Sequence, residues 1–556
     1  MRELQLQLPV SPEAPPLHDD DALREAVAAA AGWDVADLGQ VVIDRRSLDA
    51  RRRRRPSWVL RVRASRRDEA PPDDALPPLL RPRKLARDHH ALRPIIVGSG
   101  PAGLFAALQY ADAGVRAVML ERGGEVLARS QRVRDLRVHG QLDEESNLCF
   151  GEGGAGTYSD GKLYTRGKSS RVREVYERLV ALGISRKILV EAHPHVGTNR
   201  LIPMMPRLRH ALREAGHELR FDAKVEDLLV DEAGAVVGVR LEDGEELRGG
   251  PVLLATGHSA RDVYAMLARR GVAMERKPFA VGARVEHPQG LVDEAQLGEM
   301  AGWASVGAAE YFVSAQVPDL GAPRGVYSFC MCPGGIVLPT PTRAGHLNVN
   351  GMSNEGRNSG IANAALVTEV RGDEMYLDRP GDLDDDPEFG VHVAGGALLG
   401  LALQGALERR AFEQGGGGYR APAQRLLEVL DPASGAAEPL PKSTYRPGLQ
   451  HAPASAVLPA RMLTALRRGA RAIDQRQLRG YLSAEATFIP VETTTSAPVR
   501  ICRGDDRQST SHPGLYPCAE GAGYAGGIVS SAIDGMRSAL ATLAVHDLVP
   551  WSEVER

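Results

Sequence analysis

Apolar residues recur along this chain at two periods, and the changes of period mark out its parts. LQLQL near the start alternates as a strand, DDDALREAVAAAAGW sets acids ahead of an alanine-rich helix, and QVVIDRRS and SWVLRVRA read as two further strands. Residues 1–66 are therefore expected to form a small α/β unit. From 67 to 93, RDEAPPDDALPPLLRPRKLARDHHALR is rich in proline and charge and reads as a linker. PIIVGSGPAGLFAALQYADAGVRAVMLER then predicts a buried strand at Ile95 to Val97, a helix from Ala102 to Ala113 stopped by Gly114, and a second strand at Val118 to Leu120. FDAKVEDLLVDEAGAVVGVRLEDGEELRGGPVLLATGHS predicts a strand, a meander turning at DEAG and EDG, and a strand from Val252 to Ala255. Near the end, GLYPCAE reads as a strand and IVSSAIDGMRSALATLAV as a helix.

The first strand-helix-strand unit carries G-x-G-x-x-G. Gly98 makes the tight turn, Gly100 lets a pyrophosphate approach the backbone, and Gly103 allows close packing of helix on strand. Glu121 follows about twenty residues on, where a ribose reader belongs, and the helix N-terminus supplies an anion site. A second copy of the fingerprint, at Gly521, Gly523 and Gly526, has no room for a dinucleotide half, because only 21 residues follow Gly535. It is expected to be a decoy whose strand joins the first sheet. Glu520 would then hold the ribityl or pyrophosphate part of one bound cofactor, and the helix starting near Gly527 would aim its positive end at that cofactor's ring.

At 556 residues the chain calls for two to four domains, and 43% hydrophobic with 25% charged residues fits a globular protein. The formal charge of -3 gives no global reason to expect nucleic acid. No stretch approaches about eighteen uninterrupted apolar residues and the start lacks a signal peptide's order, so no membrane span and a cytoplasmic location are expected. Five scattered cysteines make no disulfide framework, and Cys330 and Cys332, one residue apart, read as buried or pocket-lining thiols. Eleven arginines fall between Arg45 and Arg67 with only Asp49 opposing them. Arg51 to Arg55 are therefore either a solvated hairpin tip or a local basic footprint for RNA or another acidic partner.

VGSGPAGLFAAL, NLCFGEGGAGTYSDGKL, LLATGHSARD, KPFAVGARVEH, YSFCMCPGG, ETTTSAPVRI and YPCAEGAGYAGGI together resemble an uncharacterised bacterial family of FAD-dependent dehydrogenases, or NAD(P)/FAD-dependent oxidoreductases. That family lies within the glutathione-reductase-type FAD superfamily, and the likeness covers nearly the whole chain. It implies an α/β fold: a Rossmann-like FAD-binding domain assembled from residues 94–275 and 500–548, an inserted α+β substrate domain at 276–499, and the small N-terminal α/β domain. It also implies that Gly98, Gly100, Gly103 and Glu121 take the ADP half of FAD, with Arg122 beside the adenine, Val225 meeting the adenine, and Thr256 and Gly257 near the diphosphate. Gly153, Gly154 and Gly156 would wrap the pyrophosphate and flavin, and Glu520, Gly521, Gly527 and Ile528 would lie at the flavin end. Glu520 stands where many relatives carry aspartate. A more distant likeness to geranylgeranyl reductases puts Tyr327, Phe329, Cys332, Pro333 and Gly334 against the flavin or the substrate.

The candidate chemistry is sparse. GEGGAGTYSDGKL packs five glycines into thirteen residues and ends in Ser159, Asp160 and Lys162. Lys162 either steadies negative charge on the flavin or orients a substrate carboxylate, or else makes a surface salt bridge. Arg284 either pairs with Glu286 across FAVGARVEH or anchors an anionic substrate. TTTSAP, from Thr493 to Pro498, is placed to close the pocket, while His193 and His195 read as core or loop histidines and no metal site is expected. No acid-base dyad stands out. The expected function is hydride transfer between flavin and a small organic substrate, with NAD(P)H as a transient reductant. An FAD monooxygenase and an RNA-associated flavoprotein are the alternatives.

Overall fold

The computed structural model describes residues 1–556 apart from 14, 17–19, 51–54, 87–91, 166, 168, 320–321, 372–395, 432–438 and 556. Arg51 to Arg54, the heart of the basic run, lie outside the described residues. Two sheets of opposite character dominate the rest.

The first is a five-stranded parallel sheet in the order Leu515–Pro517, Val252–Leu254, Ile95–Val97, Val118–Leu120, Glu218–Arg220. Its three middle strands are apolar at every position because both faces are covered. Val97 is level with Leu120 and Leu254, so the loops that follow these strands share one edge, the edge where open α/β sheets hold ligands. The helix Pro101–Asp112 starts there with proline at its first turn, and Gly114, at φ +69, follows its end. The helix Ile528–Val545 crosses it so closely that a Cβ on Gly535 would stand 2.1 Å from the Ala102 carbonyl oxygen. By length and composition Ile528–Val545 would suffice to cross a membrane, but 78% of it is buried inside the fold. The predicted meander forms as an antiparallel three-stranded sheet, Val225–Val230, Val236–Leu241 and Glu246–Arg248.

The second sheet has seven strands in the order Ser314–Val317, Arg324–Cys332, Ile361–Val370, Phe279–Pro288, Thr487–Glu492, Ala421–Arg425, Leu449–His451, antiparallel except for the last pair. The helices Leu399–Gln414 and Ala460–Arg476 and the hairpin Ile336–Pro339/Val349–Met352 complete this half. Chain enters and leaves it through one antiparallel pair, Met274–Arg276 with Val499–Ile501.

At the N-terminus, Ser57–Arg66 is the middle strand between Arg2–Pro9 and Leu38–Asp49, and Asp20 caps the helix Asp21–Ala31. The proline-rich stretch after it is not free. Arg81 N and Arg83 N donate to Asp112 Oδ1 and to the Asp112 carbonyl, each at 2.7 Å, and Leu79, Leu80 and Leu85 pack on the core beside the parallel sheet.

Candidate active site between two sheets

A cavity of about 1070 Å³ runs from the loop edge of the parallel sheet to the near face of the seven-stranded one. Its first half is made of backbone. Gly98 has φ +104, and a Cβ there would meet the Ala255 carbonyl oxygen at 2.5 Å. Gly100 differs: the nearest atom to a Cβ on it would be Gly154 Cα at 3.9 Å, so a side chain would project into the space a ligand needs. Both long helices that open onto this half, Pro101–Asp112 and Ile528–Val545, begin at glycine without a side-chain cap, and their N–H groups and positive dipole ends face the cavity. Gly154, at φ +59, brings a third backbone segment against Gly100. A polyanionic, elongated ligand such as FAD fits this cradle.

Glu121 lies at its floor, 5% exposed. Its carboxylate accepts from Ser99 N (2.9 Å), Ser99 Oγ (2.8 Å), Gly123 N (3.0 Å) and Gly151 N (2.9 Å). Those four donors fill a carboxylate's acceptor positions, so a ribose hydroxyl would have to replace the Ser99 hydroxyl, the one donor that can rotate away. The glycine loop is held from behind by Arg129, a fully buried residue that no sequence pattern singled out. Its guanidinium donates to the carbonyls of Asn147 (2.8 Å), Leu148 (3.0 Å) and Glu152 (2.7 Å). Arg122 lines the wall but its charge is paired with Asp262 and with Glu145 at 3.2 Å, and it stacks on Phe150.

Gly156, Val225, Thr256, Gly257, Glu520, Gly527 and Ile528 also line the cavity. Gly103, Gly153 and Gly521 do not; each lies one layer behind it. A Cβ on Gly103 would stand 2.0 Å from the Gly98 carbonyl oxygen, the helix-on-strand packing expected of it. For Gly153 and Gly521 the position behind the wall is a correction. Their would-be Cβ atoms meet Thr157 Oγ1 at 1.8 Å and the Gly257 carbonyl oxygen at 2.6 Å, so both serve tight packing within the protein.

The second half is made of side chains, and here the sequence reading needs the most correction. Tyr327 and Phe329 line the cavity as expected, and Thr494 to Ala497 close it. Arg284 does not reach it. The strand Phe279–Pro288 is central in its sheet and buried on both faces, so Arg284 is fully enclosed and bonded to Glu492 (Nη2 to Oε1, 3.1 Å), Asn363 (3.2 Å), the Cys330 carbonyl (2.8 Å) and Asn350. Glu286, its expected partner, instead accepts from Thr444 N at 3.0 Å. Cys332 is fully buried too. A bulge between Phe329 and Cys332, with Cys330 at φ +47, changes the phase of the strand and brings Cys330 to the wall in its place. Pro333 and Gly334 form the turn beyond, away from the cavity: Gly334 N donates to Gln289 Oε1 at 2.7 Å, and a Cβ on Gly334 would strike the Arg357 carbonyl oxygen at 1.7 Å.

Where the two halves meet, Lys162 pairs with Asp160 (Nζ to Oδ2, 3.2 Å), and the other carboxylate oxygen faces His195 Nε2 at 3.3 Å and accepts from Ser353 Oγ. Burial alone would raise the Asp160 pKa, but His195 and Lys162 outweigh it and hold the group well below the usual carboxylate range. Burial would likewise lower the Lys162 pKa; Cys332, Asp160 and Cys330 outweigh it and keep the ammonium charged. His193 and His195 lie outside the helices and named strands, as read, and both line the cavity. The D-x-K and H-x-H segments meet through a bridge between Lys162 and His195, a pairing that neither segment signals by itself.

Residues 278–495 match the family model described as an FAD-dependent protein, C-terminal domain-like, and residues 1–65 match a domain of unknown function. An uncharacterized protein of Clostridium beijerinckii is 37% identical over 458 residues, which is 82% of this chain and 81% of that one. Among solved structures, the 3-ketosteroid-delta4-(5alpha)-dehydrogenase of Rhodococcus jostii is 13% identical, with a TM-score of 0.31, over 83% of this chain and 99% of that one. A geranylgeranyl bacteriochlorophyll reductase-like protein of Thermoplasma acidophilum is 12% identical, with a TM-score of 0.34, over 84% and 82%.

Proposed function

This chain belongs to the family of FAD-dependent proteins whose C-terminal domain it carries at residues 278–495, and from that premise we propose that it is a dehydrogenase or reductase acting on a small organic substrate. The observation that carries the reading is the continuity of the cavity, with a glycine-lined cradle at one end and Tyr327, Phe329 and Lys162 at the other. Residues 94–275 with 500–548 supply the cofactor half, and 276–499 the substrate half. Gly98, Gly100 and Gly154 would admit the pyrophosphate to the backbone, the helix ends at Gly100 and Gly527 would meet its charge, and Glu121 the ribose. Glu520, beside His258, lies at the flavin end. FAD supplies a carrier that takes or gives a hydride.

The residues of the chain do the rest. Lys162, fixed by Asp160, binds an anionic group of the substrate or steadies negative charge that develops beside it. Tyr327 and Phe329 cover a flat apolar substrate and exclude water from it. His195, on the other oxygen of the same Asp160, helps to fix that carboxylate and so Lys162 on the cavity wall. With one dinucleotide cradle among the described residues, NAD(P)H would act as a visiting reductant.

The test is anaerobic mixing of the purified protein with NADH and then NADPH while flavin absorbance is followed, after its FAD content has been measured. Rapid bleaching supports reduction by a visiting nicotinamide and a reductase direction. A yellow protein that bleaches with neither points to dehydrogenation of an organic donor. A folded protein that neither carries FAD nor takes it up would overturn the reading.

A further inference from the structure

The substrate half carries a nucleophile that the reading above leaves unused. Cys330 sits at the bulge of the strand Arg324–Cys332 with φ +47, a left-handed conformation that cysteine rarely adopts. It is held there from behind: Arg284 Nη1 donates to its carbonyl oxygen at 2.8 Å, and Cys332 Sγ lies 3.3 Å from the same atom. Strain kept by such support is a reason to look for a role, and the bulge turns this residue, rather than Cys332, onto the cavity wall.

The charged and titratable groups around it come from every neighbouring element. Arg284 and Glu492 stand on the sheet, Asp160 and Lys162 on the segment after the glycine loop, His195 on the strand-like piece paired with it, and Glu310, Tyr311 and Arg357 on the surrounding loops. Glu492 is bonded to Arg284 and Glu310 to Arg357 (2.6 Å), whereas Asp160 is shared between Lys162 and His195.

We propose that Cys330 is the proton-accepting group of the substrate half, held as a thiolate by the ammonium of Lys162. The proposal rests on the oxidoreductase reading. As the substrate loses a hydride and a proton and gains one bond order, the proton goes to Cys330 Sγ and turns the thiolate into a thiol; bound FAD would supply the acceptor for the hydride. In the reverse direction the thiol returns its proton. The local chemistry agrees: a hydrogen bond from Cys332, with the charges of Lys162 and Arg284, outweighs burial and Asp160 and brings the Cys330 thiol down to about 6, while that same bond and burial push Cys332 up.

Iodoacetamide, applied to the flavin-loaded protein from pH 5 to 9 with the label located by peptide mass spectrometry, tests the thiolate. Labelling of Cys330 should reach half its maximal rate near pH 6, and Lys162→Met should move that midpoint up by about one pH unit or more. A wild-type midpoint near the ordinary thiol value of about 8.5, or a midpoint indifferent to Lys162→Met, would overturn the proposal. Electrochemical reduction tests the proton. Electrons entering the cavity favour protonation of a thiolate there, so between pH 6 and 8 the wild type should take up more protons per two electrons than Cys330→Ser. Equal uptake rejects the role. A colourless protein with an ionised Cys330 would remove the oxidoreductase reading, and a yellow one with a protonated Cys330 would remove only this proposal.

Discussion

The two halves of the cavity are walled by different means. On the parallel-sheet side the wall is peptide: Gly98, Gly100 and Gly154 let backbone approach, and two helix ends supply N–H groups. On the seven-stranded side the wall is side chain, and its charges are kept in place by buried partners drawn from distant segments. A backbone site depends on glycine at fixed spacing and on local turns, whereas a side-chain site depends on which strands become neighbours. The first kind tolerates little change in sequence pattern; the second can be built from almost any order of residues.

If that contrast is right, the side-chain half should be the more fragile to loss of one polar atom. Arg284 and Glu492 are both fully buried and bonded to each other. Glu492→Gln leaves a buried guanidinium without its counter-charge, and the expected cost is roughly 3 to 5 kcal/mol. The paired replacement Arg284→Met with Glu492→Leu removes both charges and should recover part of it, the Cys330, Asn350 and Asn363 acceptors that Arg284 served being left without their donor. Urea unfolding of the wild type and the two variants measures this, and a single variant as stable as the double one would break the contrast.

That difference also explains how much was legible beforehand. The strand at Ile95–Val97, its helix, Gly114 and the strand at Val118–Leu120 could be read almost to the residue, because fingerprint and periodicity state the same thing locally. The strand read at GLYPCAE, ahead of Gly521 to Gly526, does join the first sheet, as Leu515–Pro517. Arg284 was misread because alternation along FAVGARVEH suggested a free face, and only the tertiary packing shows that both faces of this strand are buried. Cys330 and Cys332 exchanged roles because a bulge has no periodic signature. The Asp160 and His195 pair was out of reach, since 35 residues separate them and nothing in either segment names the other.

Acid should strain both halves equally, which sharpens the comparison by supplying a control. His217 beside the parallel sheet and His287 in the seven-stranded one are each lowered to about 4 by burial, against backbone hydrogen bonds that act the other way. The folded value lies below the unfolded one of about 6.5, so as pH falls the unfolded chain takes up the proton first. Stability from each neutral imidazole is complete above pH 6.5 and drains away between 6.5 and 4, by about 3 kcal/mol apiece. His217→Gln and His287→Gln should each flatten the pH dependence of unfolding in that window relative to wild type. Parallel curves for variant and wild type would contradict it.

A smaller effect probes the cradle alone. Because nothing lies nearer than 3.9 Å to a Cβ on Gly100, Gly100→Ala should fold with an unchanged melting temperature and still hold FAD about tenfold or more less tightly, a difference of about 1.4 kcal/mol. Gly103→Ala, whose Cβ would lie 2.0 Å from the Gly98 carbonyl oxygen, should instead lower the melting temperature. Flavin content and thermal unfolding, measured on both, separate the two glycines. Equal behaviour would mean that the cradle does not distinguish ligand space from packing.

The N-terminal unit offers the mildest test, because its seam with the body contains contacts of both kinds. Arg46 N donates to the Val190 carbonyl at 2.7 Å and Ala192 N to the Arg46 carbonyl at 3.0 Å, while Arg46 Nη2 pairs with Glu191 at 3.1 Å. Glu191 is 30% exposed, so water already satisfies much of its charge, and Glu191→Gln should cost under about 1 kcal/mol. Limited proteolysis across residues 67–93 reports the seam directly: the variant should release residues 1–66 no faster than wild type. Faster release would mean that the ion pair, rather than the backbone bridge, fixes this unit in place.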